Sequence, residues 1–486
     1  MRIEAVLVIA LAAGACGKNP QSNVTPAGSG GGSSAGSAGS AVVPAGSGKD
    51  PWVTVDAAPD TPERREARAK AALERVATIM PRLAKVRELT FDKDIPREYQ
   101  SADDFKKFVH AEIAKEMPPG KADDESTALY QLGLLTKPGN LAALEEQAFT
   151  TQAGAYYDPA KKRFFLVMVP DNDLMLDTIS AHELTHGLQD QHFDLRNYMA
   201  ETGGAKLDDD EAVVRRFVAE GDATFTMFIY AAAQMTNADK VDLKLVKAMH
   251  GQLEQFAAMS PEEMIKQNAA GFSSMDPEIK KSIDAMADIP LTVLIPMVQS
   301  YMQGALLVAD AFDRGGWKEV NALYSKPPES TEQAMHPLTK LYPTREHPQH
   351  VTLPKAADPE LGNIVFGELQ WFVYFTLWAP EARTAASEGW GGDRAAVTKR
   401  KDGRLIARIA TVWDSPKDAD EFTQAYVKSL AKRFPDAKGD VLKDGLARPG
   451  SAGKIFVKQD GARVFVVDGA DDAKELAALA AGAKIN

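Results

Sequence analysis

A single cysteine, Cys16, stands in the 486 residues. No disulfide can form within the chain, so the fold has to rest on a buried core. Histidine is nearly as scarce, with eight in the whole chain. Positive charge is in deficit: 68 acidic residues against 56 lysines and arginines give a net charge of −12. With no basic stripe, a nucleic-acid partner is excluded as an expectation. No apolar run makes a confident membrane span. The segment after Pro290, "PLTVLIPMVQSYMQGALLVADAFDRGG", is interrupted by Pro296, Gln299 and Gln303 and reads as a core helix.

The first residues, "MRIEAVLVIALAAGACGK", carry an apolar run from Ala5 to Ala15 that is too short to cross a bilayer and fits a signal-peptide core. Ala13, Gly14 and Ala15 lead to Cys16. This resembles a bacterial lipoprotein signal, with Ala13 where a large aliphatic residue is usual. The resemblance implies a signal peptide over residues 1–16, a lipidated Cys16 that anchors the chain to a membrane and, from Gly17, passage to the outer membrane; plain secretion is the alternative. Residues 17–58, with "GSGGGSSAGSAGS", cannot bury apolar surface and read as a flexible tether.

The remainder is long enough for two or three domains, and the expected class is α+β. Residues 59–390 read as a mainly helical domain with a small β-hairpin. Thr61 caps a first helix that Pro81 should bend. Ser101 caps another, and a further helix spans about 122–135. "AGAYYDPAKKRFFLVMVP" is a hairpin with turn residues at "DPAKK". Helices follow from about 172 or 173, from 209 to 234 and after Pro290, and "PPESTEQAMHPLTKLYP" reads as an irregular loop. Residues 391–486 run β-β-α-β-β-α, a small accessory module expected to pack its helices on one face of a sheet.

Chemistry concentrates in "DTISAHELTHGLQDQHF", where three of the eight histidines fall. His182-Glu183-Leu184-Thr185-His186 has the H-E-x-x-H spacing. Residues four apart share one helix face, so His182 and His186 can grip one zinc ion. Glu183 points to the adjacent side, placed to act as general base toward an activated water. A third ligand is needed. His192 lies six residues past His186, but a continued helix turns it about 120° off the metal face. Glu220 fits better: in "RRFVAEGDATFTMFIYAAA" it is a lone carboxylate on an apolar face with Phe217, Thr224 and Phe228, costly to bury without a cation. Gly221 beside it would let a neighbouring helix or side chain come close. Glu201 and Asp222 are further candidates.

An H-E-x-x-H helix followed by a glutamate on a later helix resembles the gluzincin class of zinc metallopeptidases. "EEQAFTTQAGAYYDPAKKRFFL", "AHELTHGLQDQHFDL", "VAEGDAT" and "PPESTEQAMHP", taken in order from about Val86 to Trp378, resemble a family of poorly characterised exported bacterial metallopeptidases. The resemblance implies a zincin-like domain, Zn2+ held by His182, His186 and Glu220, Glu183 as base, a protein or peptide substrate, and strand pairing of that substrate along "GAYYDP". Many gluzincins place an aspartate four residues after the glutamate ligand to orient a histidine; here Thr224 stands there, and Asp190 and Asp222 are the candidates for that task. His336 could donate to the oxyanion, with Tyr301 as another donor. Glu332 could cap the loop or line a pocket. Tyr156 and Tyr157 fit a core role as well as a substrate one. Two other readings stay open: an envelope lipoprotein with a structural zinc site, and a zinc amidase acting on cell-wall material.

Overall fold

The computed structural model describes residues 61–150, 154–170, 173–202, 204, 206–237, 243–257, 289–448 and 453–486. The expected signal peptide, Cys16 and tether lie outside them. The observed class is α+β, mainly helical with three small sheets.

Helix α1, Pro62–Arg87, is capped by Thr61 and runs on through Pro81. Strand β1 (Arg97–Tyr99), then α2 (Ala102–Glu116), α3 (Pro119–Leu132) and α4 (Leu141–Thr150) lead to β2 (Ala155–Asp158) and β3 (Arg163–Leu166). The β2–β3 turn forms as the "DPAKK" composition requires: Asp158 Oδ1 accepts from Ala160 N at 2.9 Å and Lys161 N at 3.0 Å, and Lys162 takes a φ of 54°. β3 pairs antiparallel with β2 and parallel with β1, leaving β2 on the edge. Helix α5 (Asp173–Phe193) packs against β2. After a single turn, α6 (Leu195–Tyr198), comes α7 (Asp209–Thr236). Asp208 and Glu211 close its start reciprocally at 2.9 Å, and Asn237 ends it at a φ of 51°. Then follow α8 (Leu243–Ala257), α9 (Leu291–Gly315) and α10 (Trp317–Ser325). α9 is apolar and long enough to cross a membrane, yet most of it is buried within the protein, the place of a core helix.

At the α7–α9 crossing the two backbones meet with no room for a side chain between them. A Cβ on Gly221 would stand 2.1 Å from the Gly304 carbonyl carbon, and one on Gly304 would stand 2.3 Å from the Phe217 oxygen. The close approach expected beside Glu220 is therefore real. Gly221→Ala should destabilise the protein by about 2–3 kcal/mol in urea unfolding, because overpacking against backbone outweighs the roughly 1 kcal/mol by which alanine is the better helix former.

The "PPESTEQAMHPLTKLYP" stretch is more ordered than a loop. Thr331–Met335 forms a short helix, α11, followed by a π-helical turn over Pro337–Leu341. Tertiary bonds impose this: Asp210 of α7 accepts from Thr331 N at 2.9 Å and Thr331 Oγ1 at 2.6 Å.

The C-terminal sheet takes strands from both sides of position 391. In order it is β5 (Glu360–Ile364), β6 (Trp390–Lys399), β7 (Leu405–Trp413), β10 (Arg463–Ala470), β9 (Lys454–Asp460) and β8 (Leu446–Ala447), all antiparallel. A two-residue strand β4 (Val351–Thr352) pairs separately with β11 (Lys484–Ile485). Helices α12 (Gly367–Trp378) and α14 (Pro416–Arg433) cover one face through Trp371, Phe375, Phe422 and Tyr426; a single turn, α13 (Arg383–Ser387), lies between β5 and β6 in sequence. The expectation of helices on one face alone is corrected. Along β10, Val464 and Val466 enter that first core while Phe465 and Val467 enter a second, so both faces need cover. Leu476 and Leu479 of α15 (Ala473–Gly482) supply it. Asp393, wholly buried, ties the sheet to the start of α12 by accepting from Phe366 N, Gly367 N, Trp371 Nε1 and Trp390 Nε1.

Candidate metal centre

His182 and His186 project from one face of α5, and Glu220 from the middle of α7. His182 Nε2 stands 3.1 Å from His186 Nε2 and 3.1 Å from Glu220 Oε2, and His186 Nε2 stands 3.5 Å from the same oxygen. Donor atoms set about 2.0–2.1 Å from zinc in a tetrahedral array are spaced about 3.3 Å apart, so this triangle fits that ion. Among the described residues it is the group of three or more side chains able to hold a metal. All three are at most 1% exposed.

The protonation states suit ligation. Burial pushes the His182 imidazole down to about 4, against the opposing effect of its hydrogen bond to Glu220, so it stands neutral near pH 7. Burial works to raise Glu220, but the His186 charge and hydrogen bonds from both histidines bring it down to about 2.

Glu183 is wholly buried beside this triangle without belonging to it. Its Oε2 accepts from Tyr157 N, on edge strand β2, at 2.8 Å. A Cβ at Gly187 would meet Ile95 Cδ1 at 2.1 Å and lie in ordinary contact with the Tyr157 ring at 3.5 Å. Tyr157 OH and Lys162 Nζ both reach Asp190, at 2.8 and 2.7 Å, and pin the hairpin to the helix. Asp190 is thereby committed and does not orient a histidine. Tyr156 is a core aromatic, stacked on Phe165 at 4.8 Å with its OH on Gln100.

His192 is carried off the metal face by the continued helix, as its spacing implies, and its Nε2 lies 2.7 Å from the Thr90 carbonyl oxygen. Glu201 accepts from Arg196 instead. Asp222 is not in the triangle; it sits behind it, bonded to Gln189 Nε2 at 3.2 Å. Gln189 in turn faces His186 Nδ1 at 2.9 Å. Gln189 was not legible as a site residue, although its i+3 position from His186 put it on a neighbouring face. At Thr224 the hydroxyl is buried and accepts or donates no hydrogen bond among the described residues, and the same holds for His182 Nδ1. The Tyr301 ring lies 5.9 Å from that of His182, centre to centre, which keeps it at the site.

His336 belongs to a second polar group. Its Nε2 lies 2.8 Å from Glu368 Oε1 on α12, so that nitrogen is already engaged. Lys340 stands nearby, 3.2 Å from Glu332, 2.9 Å from Glu346 and paired with Asp414. Burial pushes the Glu332 carboxyl up to about 9, with Glu368 adding to the rise and Lys340 opposing it. At neutral pH Glu332 is thus a neutral acid. Because its folded-state pKa is raised, its stabilising contribution is complete below about 4.5, the ordinary value, and is lost as pH climbs through about 9. Wild type should therefore lose stability relative to Glu332→Gln between about pH 5 and 9, read from urea midpoints across that range.

Residues 358–480 match a family described as a domain of unknown function, DUF8575. The match covers the C-terminal sheet from β5 to most of α15 and leaves His182, Glu183, His186 and Glu220 outside it. Searches of curated proteins and of solved structures return no match.

Proposed function

We propose that the chain is a zinc-dependent metallopeptidase of gluzincin type, hydrolysing peptide bonds in an exported, membrane-tethered setting. The observation that carries the reading is Glu183: a wholly buried carboxylate adjoining the ligand triangle, outside it, and held by a main-chain N–H of an edge strand. A buried carboxylate is costly. A structural zinc site has no use for one that is not a ligand, whereas a hydrolytic site needs a base there.

His182, His186 and Glu220 would hold the ion. Bound zinc supplies Lewis-acid activation of water near neutral pH and polarises the scissile carbonyl. Glu183 accepts the proton from the attacking water and hands it to the departing amine. Tyr157 N–H fixes one oxygen of the Glu183 carboxylate. For the oxyanion the candidate donors are His336, whose Nε2 faces Glu368, and Tyr301, whose ring lies 5.9 Å from that of His182. The competing structural-zinc reading needs a fourth protein ligand, expected from His192, which is bonded to Thr90.

The decisive experiment measures metal content and cleavage of a mixed peptide library, before and after chelation. One equivalent of zinc and cleavage abolished by chelator and restored by zinc are expected. One equivalent of zinc with no cleavage of peptides or of cell-wall amides would favour the structural reading.

A further inference from the structure

His186 faces the triangle with Nε2, so Nδ1 has to carry the hydrogen if Nε2 is to offer its lone pair. Gln189 makes that choice. Its Oε1 lies 2.9 Å from His186 Nδ1, while its Nε2 donates to the Ala219 carbonyl at 2.9 Å and to Asp222 Oδ2 at 3.2 Å. Turning the amide over would set its oxygen against two other oxygens. The atom presented to His186 is therefore an acceptor only.

Asp222 cannot swing away. Arg87 Nε and Nη2 hold its two oxygens at 2.8 and 3.0 Å, Tyr324 OH donates at 2.8 Å, and Thr226 Oγ1 lies at 3.2 Å. Arg87 is fixed in turn by Asn321 Oδ1 at 2.7 Å and by the Trp317 ring at 4.3 Å. Arg87, Asp222 and Gln189 are all wholly buried. Arg87 is the last residue of α1, the first described helix.

We propose that Gln189 is the positioning residue for His186, and that Arg87 sets Gln189 through Asp222, so that the metal affinity of the centre depends on α1 being seated against α5 and α7. This rests on His182, His186 and Glu220 being metal ligands. It gives the task that an aspartate performs elsewhere to a glutamine on the metal-binding helix itself.

The test measures Zn2+ affinity of the full-length protein by competition with a chromophoric chelator, together with the visible absorption of the Co2+-substituted protein. Gln189→Met, close in volume, should weaken Zn2+ binding 10–100-fold and change the Co2+ bands, with helical circular dichroism retained. Arg87→Lys keeps the charge but loses the two-point grip. It should weaken binding several-fold and add nothing further on top of Gln189→Met. Wild-type protein that binds no zinc overturns the metal centre and this proposal together. Zinc-binding wild type with Gln189→Met equal to it in affinity and spectrum overturns the positioning role alone. Additive losses in the double variant overturn the link to Arg87. If Gln189→Met does not fold, Arg87→Lys decides: unchanged affinity and bands overturn the proposal.

Discussion

Glu183→Gln is expected to retain one equivalent of zinc and to lose peptide cleavage by about 10²–10⁴-fold, the usual contribution of a positioned base. The substitution preserves shape, and its amide oxygen can still accept the N–H of Tyr157 that holds Oε2 at 2.8 Å. It removes only the capacity to take a proton. Because Glu183 lies outside the ligand triangle, zinc stoichiometry by elemental analysis should not fall. Because the carboxylate is wholly buried, neutralising it should leave the melting temperature level or raise it. Full activity in this variant would remove the base, and with it the hydrolytic mechanism; loss of zinc would show that Glu183 is a ligand.

The second large effect is on stability. Arg87→Met should cost about 3–5 kcal/mol, the range for removing one partner of a buried ion pair. Both members are wholly buried and doubly bonded, so the variant leaves Asp222 with no cation in a water-excluded place. Tyr324, Thr226 and Gln189 still donate to or face it, but neutral donors do not offset a buried charge. Urea unfolding at neutral pH measures the loss. The double variant Arg87→Met/Asp222→Leu should recover a large part of it, since an apolar pair carries no desolvation cost. A single-variant loss below about 1 kcal/mol would mean that Asp222 is protonated or hydrated once Arg87 is gone.

Features that depend on local geometry were legible early. The four-residue spacing of His182 and His186, the solitary carboxylate of Glu220 on an apolar helix, the small residue beside it and the turn at "DPAKK" all appear as expected. His192 leaves the metal face because α5 continues to Phe193. Features made by distant partners were not legible. Asp222 meets Arg87 across 135 positions and Tyr324 across 102. His336 meets Glu368 across 32. The helix within "STEQAMHP" is set by Asp210, 121 residues earlier. Each of these is a polar contact between residues distant in the chain, for which no periodicity gives a sign.

What the sequence by itself determined is the imidazole pair with its adjacent carboxylate, because helical pitch places residues four apart on one face whatever surrounds them. Only the tertiary structure decided which acid stands with the imidazole pair, that Gln189 faces His186, and that Glu183 is gripped by β2. Those outcomes depend on how α7 and β2 are seated beside α5: the missing side chains at Gly221 and Gly304 let α7 close on α9, Arg87 and Asp222 tie α7 to α1 across the core, and Tyr157 ties β2 to Asp190 of α5.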